Sequence, residues 1–196
     1  MIFFKRLHIK FGIIHKPDVD YNSWMLEKEV VELNKTHSLK RKNEYIGIRQ
    51  LRNELLPKKQ IIYNSTGKPS LINDSTKLSI SHSANSICLA ISDTPLGIDI
   101  EKIDKRILNV KSKFVNCEEK KFYSFDSIED LTILWTIKEC IYKLYDINGL
   151  SFMGDIQVID RSDNEHTCVV KVSGMQCTHT LKHEEINGEI LTYNIN

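Results

Sequence analysis

The 196-residue chain is poor in the residues that punctuate folded structure: it has four prolines, eight glycines, and no repeat, low-complexity tract or Pro/Gly/Ser linker. So unbroken a chain is expected to pack as ordered elements, not as a linker or a disordered tail. It also lacks a cysteine framework. Cys88, Cys117, Cys140, Cys168 and Cys177 are odd in number and contain no C-x-x-C pair, which disfavours a disulfide scaffold or a zinc cage and points to a reducing cytoplasm. Long apolar runs are missing too. The stretch MIFFKRLHIKFGII is broken by Lys5, Arg6 and Lys10, so neither a signal core nor a spanning helix is expected, and it reads as a first strand. Nor does charge of one sign dominate: 27 Lys and Arg against 26 Asp and Glu leave +1, which argues against nucleic acid or an anionic membrane surface as partner.

What is present is enough apolar material, 41% of residues, for one sizeable core or two small ones. The charge is uneven. Lys35 to Gln60 hold eight basic and two acidic residues, net +6, so the remainder sums to −5. Apolar spacing predicts a helix over 22–34 and a second over 38–56, stopped by Pro57. Lys77 to Ser81, Ile87 to Ser92 and Leu96 to Glu101 read as a small antiparallel meander. In the second half, Asn116 with Glu119 marks a capping box, and Ser127 with Asp130 opens a long helix that ends near Asn148-Gly149. Four strands are expected after it, over 157–160, 167–172, 176–182 and 190–195. Helix-then-sheet order occurring twice predicts an α+β protein of two similar lobes, each a helix on a small antiparallel sheet, divided as 1–103 and 104–196.

Several local patterns can carry chemistry. In Leu96-Gly97-Ile98-Asp99-Ile100-Glu101-Lys102, a period of two puts Asp99 and Glu101 on one strand face and turns Ile98 and Ile100 to the core. Adjacent carboxylates raise each other's pKa unless a cation shares them, and a hard ion such as Mg²⁺ takes oxygen ligands; a solvated surface strand would carry the same letters. On the long helix, Trp135, Glu139 and Lys143 recur at intervals of four, either to line a site or as a core tryptophan beside an intrahelical ion pair worth about 0.3 kcal/mol. Ser79-Ile80-Ser81-His82-Ser83 offers hydroxyls, an imidazole and amides that suit a phosphate oxygen, or is simply an exposed strand end. Gly67-Lys68-Pro69 presents a lysine or merely turns. Arg41 and Arg49, eight apart, share a helix face near Lys42 and Arg52, suited to a multiply charged phosphate or to solvent. His179-x-x-x-His183 would need a helix to converge on a metal, and its segment reads as strand.

Taken in order, G-K-P, S-x-S-H-S, G-I-D-I-E-K, F-x-x-x-E-E at Phe114 to Glu119, and W-T-x-K-E-x-x-x-K at Trp135 to Lys143 resemble the larger, two-lobed class of the 4′-phosphopantetheinyl transferase superfamily. The resemblance runs from about Arg41 to Lys143. Cys140 stands where that family usually has a small residue such as alanine, and reads as a small buried side chain. The aromatic residue often found before S-H-S is missing, with Leu78 and Ile80 nearby.

The resemblance implies coenzyme A as substrate and a serine of an apo acyl or peptidyl carrier protein as acceptor, with adenosine 3′,5′-bisphosphate released. It implies Mg²⁺, with Mn²⁺ acceptable, on Asp99, Glu101 and Glu139, and Glu139 as the base. Lys143, His82 and Ser81 are then expected at the bridging phosphates, Arg41 and Arg49 at the 3′-phosphate, and Lys68 near the nucleotide, in a cytoplasmic monomer with its active site between the lobes. A non-catalytic coenzyme A-binding module would need the basic helix and His82 but not three carboxylates. A metal-dependent phosphodiesterase would use water as acceptor.

Overall fold

The computed structural model describes residues 1–15, 17, 20–21 and 23–195, and its contacts divide the chain into two compact units, Met1–Leu96 and Gly97–Asn196. In the first unit the apolar N-terminal stretch forms two strands instead of one, β1 (Ile2–Arg6) and β2 (Ile9–Ile14), paired antiparallel. The turn between them uses no glycine; Leu7 itself takes a left-handed φ of 53°. Ile9, Phe11 and Ile13 alternate inward from β2 while Lys10 faces solvent.

Two helices follow, α1 (Glu27–Asn34) and α2 (Leu39–Leu55). The first falls within the expected segment, whose initial residue, Asn22, lies outside the described residues. Ser38 caps α2 by accepting from the Arg41 amide at 3.5 Å, and Pro57 follows its end. Ile48 and Leu51 pack with Ile14, Leu78, Ile87 and Leu89 in one cluster. A hairpin comes next, β3 (Ile61–Tyr63) with β4 (Pro69–Leu71), with Gly67 and Lys68 in the turn between them. The Asn64 carboxamide oxygen closes its turn, accepting from the amides of Thr66 at 3.0 Å and Lys68 at 2.8 Å. Strands β5 (Lys77–His82) and β6 (Ile87–Ser92) complete a four-stranded sheet of order β1-β2-β6-β5.

The second unit begins with β7 (Ile98–Lys102), so the expected three-strand meander is not formed. Short 3₁₀ turns lead to α3 (Ile128–Tyr145) and then β8 (Ile156–Ser162), β9 (Glu165–Val172), β10 (Met175–Ile186) and β11 (Glu189–Asn194). Their sheet has the order β7-β11-β10-β9-β8, every pair antiparallel. Because β7 hydrogen-bonds to β11 and not to β6, the boundary expected at 103/104 moves to Leu96/Gly97. Ser127 caps α3 through the Asp130 amide at 3.2 Å, and Asp146 ends it in the left-handed conformation, φ 55°. Leu131, Leu134, Ile137 and Ile141, spaced by three and four, bury one stripe of α3 with Ile156, Val158, Val170, Leu181 and Ile190 of the sheet. Each such side chain contributes roughly 1.5–3 kcal/mol by leaving water.

Candidate active site

Three contacts lock α3 against β11 and β7. The Thr136 hydroxyl donates to the Ile133 carbonyl at 2.9 Å and so accepts from the Thr192 hydroxyl at 2.7 Å. One turn on, the Cys140 thiol donates to the Gly97 carbonyl at 3.1 Å, while the Gly97 amide donates to Asn194 Oδ1 at 2.8 Å. A further turn brings Lys143 Nζ to Asp99 Oδ1 at 2.6 Å. Thr136, Cys140 and Lys143 share one helix face by their spacing of four and three. Gly97 permits the approach, because a Cβ there would stand 2.1 Å from the Cys140 carbonyl oxygen. Cys140 is fully buried, and burial first, then Asp99, pushes its thiol well above the usual range, in keeping with the small buried residue expected there.

Strand alternation carries Asp99 and Glu101 on the same side as Gly97, with Ile98 and Ile100 fully buried on the other. The carboxylates act on one another. Burial, then the charge of Asp99, raises Glu101 to about 7 against the opposing pull of Lys143. Burial, then Asp99, raises Glu139 to about 7 as well, with Glu101 adding and Lys143 opposing. Burial works to lower the Lys143 pKa, but Asp99 and its hydrogen bond outweigh it and the net shift is upward. Beside its intrahelical attraction to Glu139, Lys143 thus has a hydrogen-bonded ion-pair partner on the strand.

This cluster gathers negative charge on hard oxygen donors. Among the described residues no three His, Cys, Asp or Glu side chains stand together as a group that could hold a metal ion. Magnesium does not need one, since it keeps several waters and binds through one or two carboxylates plus substrate phosphates. Asp99, Glu101 and Glu139 offer oxygen donors of the type such an ion takes, though not as a ready-made set of three ligands.

A sequence model of the 4′-phosphopantetheinyl transferase superfamily matches residues 95–192, half of the chain. The chain belongs to this superfamily. No curated protein matches it. Asp99, Glu101, Glu139 and Lys143 lie inside the matched residues and within the second unit. Among the described residues no helix is long and apolar enough to cross a membrane.

The other expected site residues of the transferase lie in the first unit. Arg41 is exposed in the first turn of α2, and Lys68 sits half-buried in the β3–β4 turn. Ser81 is buried at the end of β5, and His82 beside it is exposed with Nδ1 3.6 Å from Glu44 Oε1 of α2. Arg49 is buried, donating to the Tyr63 hydroxyl at 3.0 Å and lying 3.8 Å over the Tyr45 ring. It shares Glu29 with Arg52: Arg49 Nε is 3.6 Å from Oε1 and Arg52 Nη2 is 2.6 Å from Oε2. Glu29 was not singled out in the sequence, because only tertiary packing brings α1 to α2.

Sequence reasoning also missed the partnership inside two quoted motifs. Lys138, fully buried, donates to Glu119 at 2.9 Å, to the Phe114 carbonyl at 2.7 Å and to the Phe152 carbonyl at 2.9 Å. Glu119 in turn accepts from the amides of Asn116 at 2.9 Å and Val158 at 3.0 Å. A charged residue at a core position of α3 was the available signal. His179 and His183 both lie in β10 and bond elsewhere, His179 to Tyr145 and His183 to His166.

Proposed function

We propose that this protein moves the 4′-phosphopantetheine arm of coenzyme A to a serine of an apo acyl or peptidyl carrier protein, as a Mg²⁺-dependent, holo-[acyl-carrier-protein] synthase type enzyme of the two-lobed class. The reading includes a cytoplasmic monomer with pseudo-twofold lobes. The observation that carries it is the placement of Asp99 and Glu101 on β7 beside Glu139 and Lys143 on α3.

In this reaction the serine oxygen forms a bond to the pantetheine-bearing phosphorus, the pyrophosphate P–O bond breaks, and adenosine 3′,5′-bisphosphate leaves. Glu139 takes the serine proton, a role suited to a carboxyl held near 7. Lys143 offsets charge on the bridging phosphates from one end of the same helix face. Asp99, Glu101 and Glu139 would hold Mg²⁺, which supplies further neutralisation of the pyrophosphate. His82 and Ser81 contact the phosphates, Arg41 and Arg49 the 3′-phosphate, and Lys68 the nucleotide. Because Arg49 is buried against Glu29, its replacement also loosens the first unit.

Purified protein, Mg²⁺, coenzyme A and an apo carrier, followed by intact mass, should show the gain of one arm with bisphosphate released. Glu139→Gln should abolish transfer and keep coenzyme A binding, whereas Arg49→Ala should mainly weaken binding. Near wild-type transfer by Glu139→Gln would remove the assigned base. Bisphosphate release without any carrier would indicate a phosphodiesterase, and coenzyme A binding with neither product a binding module.

A further inference from the structure

The ion pair between Lys143 and Asp99 joins side chains that are 26% and 6% exposed, with Nζ 2.6 Å from Oδ1. The backbone on either side of this pair has little room to adjust. Thr136 is bonded to Thr192, which stands opposite Asp99 in the sheet, and Cys140 is bonded to the Gly97 carbonyl. What can move is the lysine's four-carbon stem, with its compact ammonium at the tip. A divalent ion approaching the Asp99 carboxylate therefore meets a cation already in contact with it, and the two repel.

Resting on the transferase reading above, we propose that Lys143 is an internal competitor for the divalent cation: it neutralises Asp99 in the free protein and leaves Asp99 when the ion binds. The phosphates of coenzyme A then become the new partner of the displaced ammonium. Two consequences follow. The free protein holds the ion weakly, and coenzyme A strengthens ion binding by the same factor as the ion strengthens coenzyme A binding. In this arrangement the ion is loaded efficiently only together with the substrate whose phosphates it serves.

The test uses Mn²⁺ as the probe, its free concentration followed by electron paramagnetic resonance on the 196-residue chain without coenzyme A. Lys143→Met is expected to bind Mn²⁺ at least tenfold tighter than the wild type, with Lys143→Gln as a second, polar variant giving the same gain. Lys143→Arg, which keeps a cation on Asp99, should stay within about threefold of the wild type, as should Lys102→Met, which removes an exposed charge from the same strand. Unchanged or weaker Mn²⁺ binding by both Lys143→Met and Lys143→Gln overturns the proposal, and so does an equal gain from Lys102→Met. If Lys143→Met leaves Mn²⁺ affinity unchanged while Asp99→Asn abolishes binding, the competitor role falls and the metal reading stands. Absence of Mn²⁺ binding by every variant, even with coenzyme A added, overturns both.

Discussion

Gly97→Ala isolates the contact that seats the carboxylate strand against its helix. The added Cβ would stand 2.1 Å from the Cys140 carbonyl oxygen, whereas ordinary van der Waals contact begins at 3.4 Å, so two backbones must part by about 1.3 Å, the difference of the two. Neither partner is a flexible side-chain tip that could rotate away. Overpacking of this kind costs about 1–3 kcal/mol. Straining the Cys140 thiol bond and the Asn194 bond to the same residue adds about 1 kcal/mol, for a total of about 2–4 kcal/mol. A shift near 1 Å also moves Asp99 relative to Glu139 and Lys143, and misplacement on that scale costs roughly 100-fold in rate. Urea unfolding gives the first quantity and carrier loading followed by mass the second. Gly154→Ala is the control, because its Cβ meets only the Ser151 side chain, nearest at the hydroxyl at 3.2 Å, and needs no left-handed backbone. If Gly97→Ala unfolds within about 0.5 kcal/mol of wild type, the range of an ordinary surface change, the close approach does not constrain the site.

The raised carboxyl of Glu139 has a folded pKa of about 7 against an ordinary 4.5, so its stability contribution is complete below 4.5 and is lost as pH rises through 7. Glu139→Gln should therefore stabilise the metal-free protein at pH 8 by about 1–2 kcal/mol after allowance for solvent screening, and by nothing near pH 4; equal urea midpoints at both pH values would contradict this. Lys138→Met should cost about 3–5 kcal/mol by leaving Glu119 buried without its cation, and thermal unfolding that is unchanged would refute a supporting role for the pair. His166, buried and bonded to Tyr123 and His183, is held at about 3 by burial first and then by His183 and Arg161. Its folded pKa is depressed below 6.5, so the stability it contributes is present above 6.5 and falls away towards pH 3, about 3 kcal/mol of it by pH 4.5. In His166→Gln the acid slope of unfolding free energy down to pH 4.5 should flatten by that amount.

The long helix was legible because its signals are local. Ser127, the stripe of Leu131, Leu134, Ile137 and Ile141, and the glycine at 149 mark its start, face and end within one stretch of chain. The pairing of Asp99 with Glu101 was legible for the same reason, since alternation along a strand needs no partner. Which strand β7 joins was not legible. Nothing in Leu96 to Lys102 distinguishes β6, a few residues away, from β11, because the choice is made by long-range packing. Lys143 illustrates the same limit: spacing of four nominates Glu139, but the bond runs to Asp99 on another element. The N-terminal hairpin escaped notice because its turn has no glycine, proline or asparagine, and Leu7 bears the positive φ.

The partnership of β7 with β11 also sets an order of events during synthesis. Residues 98–102, which carry two of the carboxylates, find their hydrogen-bonding strand only in residues 189–194. A ribosome must therefore produce nearly the whole second unit before Asp99 and Glu101 have a sheet to belong to. The nascent chain consequently carries no finished carboxylate cluster, and the site takes shape only as β11 docks.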